Sequence, residues 1–241
     1  MSIIGFKNSD TREQQSFTDY YRYCRDVKEI TLPLEILEVI IKSLLKSKEE
    51  RPKEITTTEI IGCLRSSYIK KTTDYYVYPE DLYYIFRGQI VHSILEETKA
   101  EIKEKRFYNK INGIGFSGKI DSYNKGVLID YKTTKQVPKY GKVYPHHDLQ
   151  LNIYKYLMEK EGIKVNALNL IYISMDSCKK IPVLLREEKE VEVFLVEKLG
   201  ILHTALKKKE FPSVESYSQW ECNYCDEDVK SLCYKVKEGG N

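Results

Sequence analysis

Two aspartates and one lysine lie on a segment that is typical of a β-hairpin. Residues 114–123 and 127–133 have the composition of strands, and the Asn-Lys-Gly sequence between them is typical of a tight turn. Asp121 lies near the end of the first strand. Asp130 and Lys132 lie two residues apart on the second strand, so their side chains share one face. We therefore expect two carboxylates and an ammonium group to meet at one place.

This set of groups suits phosphodiester cleavage. Mg²⁺ typically takes one or two carboxylates from a protein and keeps water and phosphate oxygens. A metal held in this way can generate hydroxide and neutralise charge, while Lys132 would orient the attacking water or stabilise the developing charge. The acid-x-Lys doublet occurs six times in the chain, but only Asp130 and Lys132 lie on a predicted strand with an upstream strand acid. A surface ion pair is the alternative interpretation.

Two flanking helices carry further candidates. Gln150 and Tyr154 lie four residues apart on a predicted helix at 148–161, so they share a face and could bind a phosphate or base. The alternative is an ordinary amphipathic helix. His92 lies on a predicted helix at 85–104 and could complete the metal shell or be a structural side chain. Apolar residues of that helix are expected to face inward: Ile90, Ile94 and Leu95.

Six cysteines need an explanation in a chain of this length. Cys222, Cys225 and Cys233 have the spacing C-x₂-C-x₇-C, and such thiolates can bind Zn²⁺ or an iron–sulfur cluster. A fourth ligand must come from elsewhere, and this spacing leaves zinc and iron–sulfur open. The candidates for that fourth ligand are Cys63, Cys24, Cys178 and His203. Buried free thiols are the alternative, which suits Cys24 and Cys178.

Composition indicates a soluble globular protein. The chain has 241 residues, of which 41% are hydrophobic and 31% charged, enough for one sizeable core. Its net charge of +3 excludes a histone-like polycation but allows a local basic groove. No secretion signal or membrane-length apolar stretch is visible, so we expect a cytoplasmic location. Free thiols or metal thiolates are expected there, and disulfides are not.

Six motifs follow one another in a specific order. They are Cys63, Gly-x-x-x-His at 88–92, Gly-Lys-Ile-Asp at 118–121, Ile-Asp-Tyr-Lys at 129–132, Gln-x-x-x-Tyr at 150–154 and the three-cysteine tail. This order resembles the CRISPR-associated RecB-like exonucleases, the fourth Cas family, within the PD-(D/E)xK nuclease superfamily. The resemblance covers residues 55–235. Each motif is weak alone, and the specificity lies in their order.

The resemblance implies a role for each matching residue of the predicted hairpin. His92, Asp121 and Asp130 match the metal ligands, with the backbone carbonyl of Tyr131 as a further potential ligand. Lys132 matches the catalytic lysine. The family's second-motif acid is often Glu, and Asp130 is a shorter but competent ligand.

The resemblance also implies supporting and cluster-binding residues. Gln150 and Tyr154 match a third motif that contacts DNA or supports the site. Four cysteines match the ligands of a 4Fe–4S cluster: Cys63, Cys222, Cys225 and Cys233.

The order of helices, hairpin, helix, strands and helix predicts an α/β or α+β core. The resemblance implies a restriction-endonuclease-like core with a central mixed sheet flanked by helices. The expected domains are an N-terminal helical extension at 1–52, a RecB-like nuclease core at 53–212 that includes Cys63, and a three-cysteine iron–sulfur segment at 213–241 packed on the core. The first 50 residues match nothing in the family.

The implied activity is degradation of single-stranded DNA, typically from the 5′ end, with Mn²⁺ or Mg²⁺. Family members trim DNA fragments before the CRISPR integrase inserts them as spacers, so single-stranded DNA and that integrase are the expected partners, together with a homo-oligomer. The same motifs occur in repair and recombination nucleases and in viral relatives. A non-catalytic, zinc-stapled DNA-binding subunit is the other alternative, and the intact set of Asp121, Asp130 and Lys132 argues against it.

Overall fold

The computed structural model describes residues 2–27, 32–49, 52–95, 97–212 and 219–238. Parts of two predicted domains, residues 28–31 and 50–51 of the N-terminal extension and 213–218 and 239–241 of the C-terminal segment, lie outside these ranges. No helix within the described ranges has the length and apolar character needed to cross a membrane.

Helices and strands are interspersed along the described chain. The helices are α1 (Phe17–Asp26), α2 (Leu34–Glu49), α3 (Thr57–Ile61), α4 (Leu64–Thr72), α5 (Tyr83–Leu95), α6 (Pro145–Lys160), α7 (Glu188–Lys208) and α8 (Glu227–Glu238). The strands are β1 (Ile3–Lys7), β2 (Gln14–Ser16), β3 (Ile55–Thr56), β4 (Tyr75–Val77), β5 (Ile102–Lys103), β6 (Arg106–Ile111), β7 (Ile114–Lys119), β8 (Ser122–Asn124), β9 (Val127–Thr133), β10 (Ala167–Ile173) and β11 (Cys178–Val183). Short 3-10 helices lie at Pro79–Leu82, Lys139–Gly141 and Gln219–Tyr224.

The chain forms two compact units, each made of separate segments. The first unit contains Met1–Arg51, Cys63–Phe86 and Lys209–Asn241. The second unit contains Pro52–Gly62 and Arg87–Lys208.

The first unit contains a three-stranded sheet in the order β2-β1-β4. Phe6 on β1 is fully buried, and its ring packs edge-on against Phe17 and Tyr20 at 4.9 and 5.2 Å between centroids. The prediction of a purely helical N-terminal region is therefore wrong for β1 and β2. Their strand character comes from pairing: β1 is antiparallel to β2 and parallel to β4, which is distant in sequence.

The second unit contains two sheets, in the orders β11-β10-β9-β8-β5 and β3-β7-β6. Strands β9 and β10 are parallel, and α6 forms the crossover between them, as parallel strands require. Helix α6 packs on β6, β7, β9 and β10, and α7 packs on α6 and α3. The unit is therefore a mixed α/β fold with helices against mixed sheets, as the sequence predicts.

The predicted first hairpin strand is divided at Asp121. Residues 114–119 form β7, which pairs with β6, whereas residues 122–124 form β8, which pairs with β9. The left-handed backbone of Asn112 and Gly113, with φ of 50° and 78°, makes the tight turn between β6 and β7. Asp121 therefore lies where the chain passes from one sheet to the other. Side chains at such a break are not fixed by strand alternation.

The predicted helix at 85–104 is shorter and less buried than expected. Helix α5 ends at Leu95, and Ile102 begins the strand β5. The expectation that Ile90 and Ile94 face inward is wrong, since they are 43% and 62% exposed and no residue of α5 is buried. Apolar residues lie on all sides of α5, so their spacing singles out no buried face.

Candidate active site

Asp121 and Asp130 are connected through the backbone of β9. Asp121 Oδ2 accepts a 2.8 Å hydrogen bond from the backbone N–H of Tyr131. That residue lies between Asp130 and Lys132, whose side chains point to the opposite face of the strand from the Tyr131 ring. The break between β7 and β8 thus holds the Asp121 carboxylate against the strand that carries the other two groups.

His92 and Glu104 complete a compact group with Asp121. His92 Nδ1 lies 3.6 Å from Asp121 Oδ1 and 3.7 Å from Glu104 Oε1. One ligand atom from each of the three residues lies within 4.8 Å of the other two. The Glu104 carboxylate also forms an ion pair with Lys119. The His92 ring meets the ring of Tyr131 edge-on at 6.2 Å.

The backbone of Glu104 is held in an uncommon conformation. Its φ of 47° lies in the left-handed region, which costs free energy for a residue with a Cβ. Its N–H donates a 3.1 Å hydrogen bond to the carbonyl of Asp121. This hydrogen bond joins the backbones of Glu104 and Asp121 and therefore brings their two carboxylates close together.

Asp130 begins a line of polar contacts that runs into the protein. Lys132 Nζ lies 2.8 Å from Asp130 Oδ2 and donates a 2.8 Å hydrogen bond to Gln150 Oε1. The amide nitrogen of Gln150 donates in turn to the hydroxyl of Tyr154 at 2.7 Å. Asp130, Gln150 and Tyr154 are 2%, 5% and 5% exposed. The Lys132 ammonium is thus fixed between a buried carboxylate and a buried amide.

The absence of a side chain at Gly118 allows this arrangement. A Cβ at that position would lie 2.7 Å from two ring carbons of Tyr154 and 2.8 Å from a methyl carbon of Leu157. Such distances are shorter than van der Waals contact, so α6 approaches β7 closely only because residue 118 is glycine. Gly118 therefore sets the depth of the Tyr154 ring behind Gln150.

Burial and neighbouring charges shift the pKa values of this group. Burial and the charge of Asp130 raise the pKa of Asp121 to about 7, against the opposing effects of His92 and the Tyr131 N–H. The Glu104 carboxylate raises the pKa of His92 against the opposing effect of burial. Burial alone would raise the pKa of Glu104, but His92 and Lys119 lower it overall. Concentrated acidic groups in a partly buried site are typical of functional sites.

The donor atoms fit a divalent cation. Imidazole nitrogen and carboxylate oxygen are ligands that Mn²⁺ accepts, and carboxylate oxygen suits Mg²⁺. Asp130 Oδ2 is buried, and its partner is the Lys132 ammonium at 2.8 Å. This ammonium offsets part of the cost of burying the carboxylate, and a cation beside the carboxylate would offset more of it.

The predicted site residues fall into two neighbouring sets. His92 and Asp121 come together with Glu104, whereas Asp130 comes together with Lys132, Gln150 and Tyr154. Asp130 does not belong to the three-residue group, although its charge acts on both His92 and Asp121. The sequence gives no signal for Glu104, because it follows a two-residue strand and has no motif spacing.

The four cysteines predicted to bind a cluster all lie in the first unit. Cys63 precedes α4, Cys222 lies in the 3-10 helix at Gln219–Tyr224, Cys225 follows that helix, and Cys233 lies on α8. Helix α4 packs against α8. Cys225 Sγ lies 3.8 Å from the Ser66 hydroxyl, and the Arg65 guanidinium lies 3.9 Å from Cys233 Sγ.

These sulfurs are near one another in pairs but are not gathered into a closed metal site. The charges of Cys63 and Cys233 interact, as do those of Cys222 and Cys225. Burial raises the pKa of Cys63 to about 11 and also raises that of Cys225. Among the described residues, no three cysteine sulfurs lie within 4.8 Å of one another. Cys24 is buried and Cys178 is exposed.

Comparison with known proteins identifies the family. Residues 91–234 match the PD-(D/E)XK nuclease superfamily. The crystal structure of SSO0001 is 21% identical, with a TM-score of 0.57 over 80% of this chain and 93% of that chain. The alkaline exonuclease LHK-Exo from Laribacter hongkongensis is 12% identical, with a TM-score of 0.41 over 77% of this chain and 94% of its own. The structure of LHK-Exo in complex with dAMP is 15% identical, with a TM-score of 0.35 over 65% of this chain and 93% of that chain.

The likeness to SSO0001 supports the fold, and the other two similarities are too remote to add to it. No curated protein sequence matches this chain. The family match spans more than half of the chain and includes both sets of site residues from His92 to Tyr154. The chain therefore belongs to the PD-(D/E)XK nuclease superfamily.

Proposed function

We propose that this protein is a divalent-metal-dependent DNA exonuclease. The observation that carries the proposal is the meeting of His92, Asp121 and Glu104 beside Asp130, whose buried carboxylate is paired with the Lys132 ammonium. Carboxylates concentrated in this way bind a hard cation, and a cation at such a site serves phosphodiester hydrolysis.

The residues that would hold the cation are His92, Asp121 and Asp130, with Glu104 as a further ligand and the carbonyl of Tyr131 as another. When bound, such an ion polarises the phosphate and lowers the pKa of water. The protein supplies the fixed frame. The Tyr131 N–H and the ion pair between Glu104 and Lys119 hold two of the carboxylates in place.

Lys132 would act on the reacting phosphate group. Its ammonium pairs with Asp130 and donates a hydrogen bond to Gln150, so the third N–H group is left for a water or a phosphate oxygen. A fixed positive charge at this point stabilises the charge that develops during hydrolysis. Gln150 and Tyr154 are too buried to touch DNA, so their proposed role is to position Lys132.

The finer aspects of the activity rest on the resemblance of the motifs. We propose single-stranded DNA as the substrate, degradation from the 5′ end, and a place in CRISPR spacer acquisition with the integrase as a partner. A nuclease of repair or recombination would use the same residues at the site.

We also propose that Cys63, Cys222, Cys225 and Cys233 hold a 4Fe–4S cluster. The support is that four thiols lie on two segments of one unit, where α4 packs against α8. Four thiolates at about 2.3 Å from a single zinc ion would lie within about 4 Å of one another. The described sulfurs are more widely spread than that, so they do not form a ready zinc site. A cluster of four irons keeps its ligands further apart.

Anaerobic purification tests the cluster. We expect a brown protein with broad visible absorbance and bound iron, and we expect Cys225→Ser to lose both. Cys178→Ser is the matched control because Cys178 is exposed. A colourless wild-type protein with stoichiometric zinc would exclude the cluster and leave the nuclease proposal standing.

The nuclease activity is tested with single-stranded oligonucleotides labelled at the 5′ or the 3′ end. We expect stepwise shortening with Mn²⁺ and none with EDTA, and the label that is released first gives the polarity. A circular single strand of the same composition is the control, because an exonuclease needs an end. Cleavage of the circle would contradict the exonuclease proposal, and no cleavage of any strand with Mn²⁺ or Mg²⁺ would contradict the nuclease proposal.

A further inference from the structure

The segment between Asp130 and Asp148 carries positively charged side chains and no negatively charged ones. It contains Lys132, Lys135, Lys139 and Lys142 and no acidic residue. Lys139 and Lys142 lie on the loop that joins β9 to α6, and both are exposed. Positive side chains in such a row attract the phosphates of a nucleic acid strand. This loop begins after Thr133, the last residue of β9, so its lysines follow the candidate active site closely along the chain.

An aromatic cluster lies where this loop enters α6. The ring of Tyr144 stacks on His146 at 5.9 Å and 24°, and it meets His147 and Tyr172 edge-on at 5.6 and 5.8 Å. His147 Nδ1 lies 2.9 Å from the Tyr172 hydroxyl. Tyr172 is fully buried, whereas Tyr144 keeps 42% of its surface accessible. The partly exposed Tyr144 side chain therefore packs against the two histidine rings and the buried ring of Tyr172.

The strand register places this cluster next to Lys132. Tyr172 on β10 is the direct partner of Lys132 on β9. The hydroxyl of Tyr172 also accepts a 3.4 Å hydrogen bond from the backbone N–H of Tyr144. In addition, the charge of Lys132 acts on both histidine rings and contributes to their lowered pKa values, which burial lowers most. The exposed ring and the proposed catalytic ammonium therefore share one neighbour, Tyr172.

From this placement we infer that Tyr144 is a stacking platform for an unpaired base of the DNA strand, while Lys139 and Lys142 contact its phosphates. The inference rests on the proposed nuclease function and names a subsite for its substrate. An exposed aromatic ring close in sequence to exposed lysines is a combination that binds single strands without sequence preference, because every base has a π-face. A base within a duplex is stacked on both sides and cannot use the ring.

The subsite is tested by DNA binding without cleavage. Fluorescence anisotropy of a labelled single-stranded oligonucleotide in EDTA gives the Kd of wild type, Tyr144→Ala, Tyr144→Phe and Tyr108→Ala. Tyr108 is the matched control, since it is 51% exposed on β6 and belongs to neither site. We expect Tyr144→Ala to raise Kd by about 5- to 100-fold. Tyr144→Phe, which keeps the ring, and Tyr108→Ala should stay within about twofold of wild type.

A scan with single abasic positions identifies the stacked base. Wild type should lose affinity when one particular base is removed, and Tyr144→Ala should lose nothing further at that position. Lys139→Ala and Lys142→Ala should each reduce the slope of log Kd against log salt by about 0.7. Equal Kd values for Tyr144→Ala and wild type would overturn the platform, and so would equal losses at every abasic position.

These outcomes are separable from the nuclease proposal. Wild type that cleaves DNA while Tyr144→Ala binds like wild type would overturn the platform alone. Wild type that binds single strands through Tyr144 but cleaves nothing with Mn²⁺ would overturn the nuclease proposal alone. Wild type that binds no single-stranded DNA would overturn the platform, whatever its activity.

Discussion

The Lys132 ammonium donates a 2.8 Å hydrogen bond to Oε1, the side-chain amide oxygen, of the buried Gln150. The orientation of that amide is fixed from behind, because its nitrogen donates to the hydroxyl of the buried Tyr154. A buried amide held at both ends gives the ammonium a defined position at low entropic cost. Two residues that do not reach the surface thereby determine where the proposed catalytic charge lies.

Replacing Gln150 is expected to reduce catalysis without weakening DNA binding. In Gln150→Ala the ammonium loses its fixed acceptor, and we expect kcat to fall by about 10- to 100-fold, the usual effect of removing a supporting partner. Tyr154→Phe keeps the ring against Gly118 and removes only the hydroxyl, so its loss should be smaller. Single-turnover cleavage and the Kd for DNA are the measurements. A raised Kd with unchanged kcat would mean that Gln150 contacts DNA.

Glu104 is expected to contribute to metal affinity. It lies within 4.8 Å of the His92 and Asp121 ligand atoms in a left-handed backbone conformation, so its position is specifically maintained. Glu104→Gln should weaken Mn²⁺ binding by about 10- to 100-fold, measured by calorimetric titration. Glu101→Gln is the control, since Glu101 is exposed and outside the group. If Glu104→Gln binds Mn²⁺ with wild-type affinity, Glu104 is not a metal ligand and its role is limited to the ion pair with Lys119.

Much of this site could be predicted from the sequence. The i, i+2 spacing of Asp130 and Lys132 and the i, i+4 spacing of Gln150 and Tyr154 each define one face of a regular element, and both pairs lie together in the structure. The sequence predicts a strand at Asp121, whereas this residue lies at the break between two sheets. Glu104 and Tyr144 had no local pattern, because long-range pairings position them: Glu104 through its bond to Asp121, and Tyr144 through Tyr172.

His147 is expected to make the fold sensitive to acid. Burial, with the charges of Lys132 and His146, lowers the pKa of His147 to about 2, against about 6.5 in the unfolded chain. Between pH 6.5 and pH 2 the unfolded chain binds a proton at His147 that the folded chain does not. The stabilising contribution of the neutral His147 is therefore complete above pH 6.5 and is lost as the pH falls below that value.

His147→Phe keeps the ring and removes this proton site. We expect the free energy of unfolding of wild type to fall by about 2 kcal/mol more than that of His147→Phe between pH 7 and pH 5, measured by urea denaturation. His203→Phe is the control, because His203 is exposed on α7 and should follow wild type. Identical pH dependence in His147→Phe and wild type would show that His147 binds its proton equally well in the folded and the unfolded chain.

The most direct test is single-turnover cleavage of labelled single-stranded DNA with Mn²⁺ by wild type, Asp130→Asn and Lys132→Ala, with DNA binding measured in parallel. Asp130 is buried and Lys132 is fixed by Gln150, so both variants should bind DNA within about threefold of wild type while the cleavage rate falls by about 10²-fold or more. Cleavage by either variant at the wild-type rate would contradict the assignment of the catalytic centre to Asp130 and Lys132.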